Sequence, residues 1–177
     1  MINKPAPSVG VLNTIEAIVF DCDGVLTDRG LFYDENGGRI LRFDARDGFG
    51  IALWCRSGLK GSIMSGRPID IASKRFTELG MTELSGRCHD KRAGLTKLCE
   101  TWNIEPAKVA FVGDDLPDLA AYSVAGLKIA VKDAAIEVQQ AADWILHAPG
   151  GQGAAREVCE TLLKARGTWQ TWLKKHS

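Results

Sequence analysis

Five short, mostly apolar runs and one brief strand-like stretch at 82–84 punctuate this chain. They lie at 15–20 (IEAIVF), 60–64 (KGSIM), 82–84 (TEL), 109–112 (VAFV), 127–131 (LKIAV) and 144–146 (WIL). Between them, helical spacing is set out by Phe49, Ile51, Ala52, Leu53 and Cys55, and again by Leu95, Leu98, Cys99 and Trp102. Further helices are expected over 68–79, 119–124 and 134–141, and from the Gly-rich loop 150–153 to about 164. A strand that is apolar along its whole length needs cover on both faces. Alternation with helices supplies that cover as βαβ units with right-handed crossovers and a parallel sheet. The expected fold class is therefore α/β, a three-layer, Rossmann-like sandwich around a central parallel sheet.

One stretch departs from this alternation. Residues 31–33 (LFY) and 39–43 (RILRF) flank Asn36-Gly37-Gly38, a strong signal for a hairpin turn. A β-hairpin over about 30–44 is thus inserted after the first strand and overhangs its carboxyl end. Asp47 is placed to cap the helix that follows, with Gly58 as its stop. Pro68 suits the first turn of the next helix.

The 177 residues suffice for a single domain over 1–177 with a sizeable core. Apolar content of 45% and charged content of 25% are ordinary for a globular protein. A formal net charge of zero provides no field to attract nucleic acid or an anionic membrane. No apolar run reaches the length of a membrane span, and residues 1–13 lack the apolar core of a secretory signal. Five cysteines without a C-x-x-C pair argue against a disulfide framework or a zinc cluster. Cys22, Cys55 and Cys99 are expected as buried thiols, and the cytoplasm as the compartment.

The chemistry begins where the first apolar run ends. Asp21 and Asp23 follow it directly, and strand periodicity puts both on one side with Cys22 on the other. Either the two acids are solvated at the opening of a turn, or a divalent cation offsets them. In a parallel sheet the polar site lies at the carboxyl ends of the strands. Such ends carry Asp21 and Asp23, Ser65, and Asp114 and Asp115, with Lys91 at a helix start. Brought together, the carboxylates make an oxygen cage that suits Mg²⁺. The Ser65 hydroxyl, the Gly66 N–H and the Lys91 ammonium suit a phosphate. A carboxylate there can attack phosphorus, and a second acid two residues on can trade protons with leaving group and water.

These pieces, in this order, resemble the haloacid dehalogenase superfamily. The matching motifs are D-x-D-G at 21–24, Ser65, Lys91 and G-D-D-x-x-D at 113–118, within a resemblance running over about 15–160. The resemblance implies an Mg²⁺-dependent phosphatase with Asp21 as nucleophile and Asp23 as general acid/base. It further implies that Asp21, the Asp23 backbone carbonyl and Asp114 hold the metal, that Ser65 and Lys91 bind phosphate, and that Asp115 and Asp118 support the metal site. Cap domains of that superfamily have no room here. Only the hairpin and one helix fit between Asp28 and Ser65, and one helix and a short strand between Ser65 and Lys91. Water must then be excluded by other means, for which a neighbouring subunit is the expected source.

More local words are similar to one capless family, the 3-deoxy-D-manno-octulosonate 8-phosphate (KDO 8-phosphate) phosphatases. They are DCDGVLTD at 21–28 with the hairpin after it, RDGFG at 46–50, SGR at 65–67, Asp90-Lys91, and GGQGAARE at 150–157. This resemblance implies hydrolysis of a phosphorylated sugar acid for lipopolysaccharide biosynthesis, in a homotetramer whose hairpins line neighbouring sites. Arg67, Gly66 and Arg46 are the expected substrate contacts, since arginine suits bidentate carboxylate recognition; local pairing is the alternative for the two arginines. The chain departs from the family at Asp44-Ala45, where Asn-Val is frequent, and at Gln152, where Arg is common. In the tail, about 167–177, Trp169, Trp172 and Leu173 share a helical face that packs either on this chain's core or on a partner. Two other functions stand beside this one. A nonulosonate 9-phosphate phosphatase is disfavoured by Arg67. A non-catalytic assembly module of sugar-nucleotide synthesis is disfavoured by the full set Asp21, Asp23, Ser65, Lys91 and Asp114.

Overall fold

The computed structural model describes residues 2–176. Its centre is β1 (Ala17–Phe20), all four residues of which are buried. β1 pairs in parallel with β4 (Lys60–Met64) on one side and β6 (Val109–Gly113) on the other. β5 (Glu83–Ser85) extends the sheet beyond β4, while β7 (Leu127–Ala130) and β8 (Trp144–Ile145) extend it beyond β6. The order β5-β4-β1-β6-β7-β8 is parallel throughout. The three-layer α/β expectation and the six strands are therefore observed, and the fully buried runs are those the sequence wrote as continuously apolar.

Helices cover the sheet in two packed groups. α2 (Ala45–Arg56) lies against α7 (Ala154–Ala165), which also meets α1 (Val9–Thr14) and α8 (Trp169–His176). α4 (Lys91–Trp102) packs on α5 (Asp118–Tyr122), and α5 on α6 (Ile136–Ala141). α3 (Asp70–Glu78) links β4 to β5. No cap interrupts this order. Between β1 and β4 lie only α2 and the hairpin of β2 (Phe32–Tyr33) and β3 (Arg39–Ile40), and between β4 and α4 lie α3 and β5.

Several local expectations are corrected. Asp47 does not cap α2. Asp44 does, accepting from the N–H groups of Arg46 and Asp47. Asp47 is buried and turned to another helix, accepting from Gly153 N at 3.1 Å and Arg156 N at 2.8 Å at the start of α7. One helix thus lends its first turn to hold the amino end of another. Pro68 precedes α3, whose N-cap is Ile69, rather than opening it. The hairpin strands are only two residues each, so Leu41, Arg42 and Phe43 lie outside the ladder. α1 was not anticipated. It presents a single buried residue, Leu12, too little for a periodic apolar signal. Cys22 and Cys99 are buried as expected, Cys55 is only half-buried, and all five cysteines are free thiols.

The tail packs on its own chain. Trp169 is buried beneath the Arg156 and Lys164 side chains, whose charged groups lie 4.9 and 5.6 Å from the ring centroid. The Trp172 indole N–H donates to Ser57 Oγ at 3.0 Å, pinning α8 to the end of α2. Leu173 is exposed. Among the described residues, no helix is long and apolar enough to cross a membrane.

Candidate active site

The register of the sheet assembles the site. Phe20 lies beside Ile63 of β4 and Val112 of β6, so all three strands end level with one another. The residues leaving those ends are Asp21, Ser65 and Asp114, drawn from positions far apart in the chain. With Asp23, Gly66, Arg67, Lys91, Asp115 and Asp118 they line one cavity of about 360 Å³. Nine of the ten predicted site residues are thereby brought together. Arg46 is not. It is exposed at the start of α2 and lines a separate cavity of about 490 Å³ with Gln152 and Arg156.

Lys91 is the hub of the cavity. Its ammonium is buried and lies 2.6 Å from Asp21 Oδ1 and 2.6 Å from Asp118 Oδ1. The side chain arrives there because Asp90 caps α4, accepting from Ala93 N at 3.0 Å and fixing where the helix starts. Asp118 is fully engaged. Its second oxygen accepts from the N–H groups of Asp114 at 2.8 Å and Asp115 at 3.1 Å, folding the turn after β6 back on itself. Asp115 is exposed and accepts at Oδ1 from Leu116 N. Asp118 therefore braces the site, whereas Asp21 keeps Oδ2 outside these bonds.

Charge does not balance in this pocket. Asp21, Asp114 and Asp118 are all buried, with ligand oxygens within 4.8 Å of one another. One ammonium faces three carboxylates. Burial and the neighbouring Asp118 push the Asp21 carboxyl up to about 7, even with Lys91 pulling the other way. The same two causes raise Asp114 to about 7, against the Arg29 guanidinium. Asp21 and Asp118 in turn raise the Lys91 ammonium above its ordinary value despite its burial. Hard oxygen donors carrying excess negative charge suit a divalent cation such as Mg²⁺. Gly24 makes this crowding possible. It has φ +103°, and a Cβ there would fall 2.0 Å from Asp114 Oδ2. The Gly-rich loop supports the same turn from behind, with Gly151 N donating to Val25 O at 2.8 Å and Gly150 passing directly against the Gly24 carbonyl.

Asp23 stands outside the carboxylate group and faces two cations. Arg67 Nε lies 3.7 Å from one of its oxygens and Arg39, from the hairpin, 3.8 Å from the other. Ser65 is buried, and its Oγ accepts from Arg67 N at 3.1 Å, leaving the hydroxyl proton to donate elsewhere. Sequence reasoning missed Arg39 and Arg29. Arg29 bonds Asp133 and lies 3.8 Å from Asp114. No motif marks either residue, because each meets a cavity carboxylate only through the approach of separate segments of the chain. His89 and Cys88 also line the cavity. Their adjacency to Lys91 was the available signal.

A parallel sheet without a cap, acids after its first and fourth main strands, and a buried lysine between them define a haloacid dehalogenase-like hydrolase, and the family model of that description matches residues 68–157. The 3-deoxy-D-manno-octulosonate 8-phosphate phosphatase KdsC of Salmonella typhi is 37% identical over 153 residues, 86% of this chain and 81% of that one. A crystal structure of the Moraxella catarrhalis phosphatase of the same name, in complex with magnesium, phosphate and KDO, superposes with a TM-score of 0.92 at 32% identity, covering 96% of this chain and 97% of that one. The cobalt-bound Haemophilus influenzae enzyme gives 0.87 at 34%, covering 92% and 95%. The chain belongs to the 3-deoxy-D-manno-octulosonate 8-phosphate phosphatase family.

Proposed function

We propose that this protein hydrolyses KDO 8-phosphate to KDO and inorganic phosphate through an aspartyl-phosphate on Asp21, with Mg²⁺ as cofactor. The observation that carries this reading is the buried Asp21–Lys91–Asp118 array, set beside Ser65 and Asp114 in one cavity. Asp21, Asp114 and the Asp23 backbone carbonyl would hold Mg²⁺, which when bound supplies the positive charge that the clustered acids and a phosphoryl group require.

The chain's own groups divide the remaining work. Lys91 favours the ionised form of the Asp21 carboxylate and aims it. Asp21 attacks phosphorus, an O–P bond forms, and the ester P–O bond breaks. Asp23 gives its proton to the departing sugar alkoxide. It then takes a proton from water, which attacks the phosphoryl group, releases phosphate and restores Asp21. The Ser65 hydroxyl, the Gly66 N–H and the Lys91 ammonium steady the phosphoryl oxygens. Arg67, half-exposed at the cavity, suits the carboxylate of a sugar acid.

The working form is a homo-oligomer, a tetramer, in the cytoplasm. Leu31, Phe32, Tyr33 and Ile40 are all exposed on a hairpin of two-residue strands, which on its own has little to hold it. Contact with a second copy would cover this apolar surface and close the open side of the cavity. Arg46 can serve the substrate only by reaching a neighbouring subunit's cavity.

The test is phosphate release from KDO 8-phosphate and from a nonulosonate 9-phosphate, with and without Mg²⁺, for wild type and Asp21→Asn. The expected result is Mg²⁺-dependent turnover with higher kcat/KM on the eight-carbon substrate, abolished by the substitution. Preference for the nine-carbon substrate overturns the substrate assignment; activity in Asp21→Asn overturns the mechanism.

A further inference from the structure

The hairpin does more than overhang the cavity. Arg39, in β3, lies at ion-pair distance from Asp23, which lines the cavity. The arrangement is two-sided. Arg39 Nη2 is 3.8 Å from Asp23 Oδ1, and Arg67 Nε is 3.7 Å from Asp23 Oδ2. Each carboxylate oxygen therefore faces a guanidinium from a different segment. Arg39 also donates through Nη1 to the Pro68 carbonyl at 3.4 Å, tying the hairpin to the turn that carries Arg67. Its side chain is 17% exposed, much less than the 48% of Arg67. Its Nε is buried and has no hydrogen-bond partner. An arginine on a two-stranded flap normally stays in water, where all its donors are satisfied. Here the guanidinium is held inward with one donor unmet, between the Asp23 carboxyl and the Pro68 carbonyl.

We propose that Arg39 is a positioning residue for Asp23: the hairpin, through Arg39, fixes the general acid over the leaving-group oxygen. This rests on the reading of Asp23 as the acid that protonates the departing alkoxide. A carboxylate gripped at one oxygen by Arg67 can still swing about that contact. Flanked by a guanidinium at each oxygen, at 3.8 and 3.7 Å, it is confined to a narrower range of orientations, and proton transfer needs the acid within hydrogen-bond reach of the leaving oxygen. Docking of the hairpin and placement of the acid then become one event. An undocked hairpin would leave Asp21 able to attack but poor leaving groups without a proton.

The experiment uses substituted phenyl phosphates, none of which carries a carboxylate on the leaving group. The dependence of log kcat/KM on leaving-group basicity is measured for wild type, Arg39→Met, Arg39→Lys and Asp23→Asn. kcat/KM reports steps up to phosphoryl transfer onto Asp21, so the later base role of Asp23 does not enter. The expected result for Arg39→Met is a steeper dependence. Phenyl phosphate should lose about tenfold or more, part of the 10²- to 10⁴-fold that general acid catalysis supplies, while p-nitrophenyl phosphate, whose leaving group needs no proton, is nearly unchanged. Arg39→Lys should recover part of the phenyl phosphate rate. The Mg²⁺-induced rise in melting temperature should match wild type, because Arg39 pairs with the Asp23 side chain and not with the Asp23 backbone carbonyl, Asp21 or Asp114. Equal loss on both esters, or no loss on either, overturns the proposal. A clamp for the substrate's own carboxylate would show as a defect on KDO 8-phosphate with an unchanged aryl series, and that also overturns it. Steepening in Asp23→Asn without steepening in Arg39→Met removes Arg39 and leaves the reading of Asp23 intact, whereas an unchanged slope in Asp23→Asn removes that reading itself.

Discussion

Replacing Lys91 with Met keeps the length of the side chain and removes its charge, and the structure says what that costs. The ammonium is 2.6 Å from each of two carboxylates whose residues are 6% and 1% exposed, and a third buried acid, Asp114, is close by. Removing one partner of a buried ion pair costs about 3–5 kcal/mol, because the other is left charged and desolvated. For a chain of this size that is a fall of roughly 6–20 °C in melting temperature. The deficit should depend on pH. The Asp21 carboxyl is raised from 3.8 to about 7 in the folded protein, so the stability linked to its proton is full below pH ~4 and is lost as pH rises through about 7. Lys91 is one of the influences that lower this value, and without it the value climbs and the loss deepens. Melting curves of wild type and Lys91→Met in EDTA should therefore lie closest near pH ~5, where Asp21 is protonated in both, and diverge toward pH ~8. Coincident melting temperatures at the alkaline end, or a gap that does not change with pH, would refute the account of Lys91 as the counter-charge.

Three further outcomes follow from the same geometry. Gly24→Ala places a methyl 2.0 Å from Asp114 Oδ2 on a backbone with φ +103°, so it should cost about 1–2 kcal/mol in strain and abolish the Mg²⁺-induced rise in melting temperature; a wild-type rise would contradict the role of Gly24. Because Asp21 and Asp114 are both raised to about 7, protons compete with a cation below that pH, and Mg²⁺ should stabilise the wild type more at pH ~8 than at pH ~5.5; equal shifts would count against Asp21 and Asp114 as the ligands. Asp47→Ala strips two N–H groups at the start of α7 of a buried acceptor and should cost about 1–3 kcal/mol, with Asp47→Asn recovering part of it and the Mg²⁺ increment retained; unchanged unfolding curves would remove Asp47 as the link between α2 and α7.

Much of the site was legible because its residues follow strand ends. Asp21, Ser65 and Asp114 each leave a buried strand at its carboxyl end, and in a parallel sheet those ends converge. Lys91 could be placed because Asp90 is a recognisable helix cap. Asp47 misled for an instructive reason. Both Asp44 and Asp47 can cap a helix, and local sequence does not reveal that α7, more than a hundred residues on, brings two N–H groups to one of them. The placement of Arg46 was not legible, since a local motif does not say on which side of α2 the side chain emerges, and it lines a cavity separate from that of Asp21.

The sequence by itself determined the layers, the parallel sheet, the hairpin insertion and the acids at the strand ends, because these follow from local periodicity and from burial that every apolar run must find. Only the tertiary structure decided how charge is shared. That Asp118 is spent on Lys91 and two backbone amides, that Asp21 and Asp114 remain under-compensated, and that Arg39 and Arg67 face opposite oxygens of Asp23 depend on through-space distances of a few ångströms. Electrostatic energy varies with separation and with exclusion of water, and neither quantity is encoded in the spacing of residues along the chain.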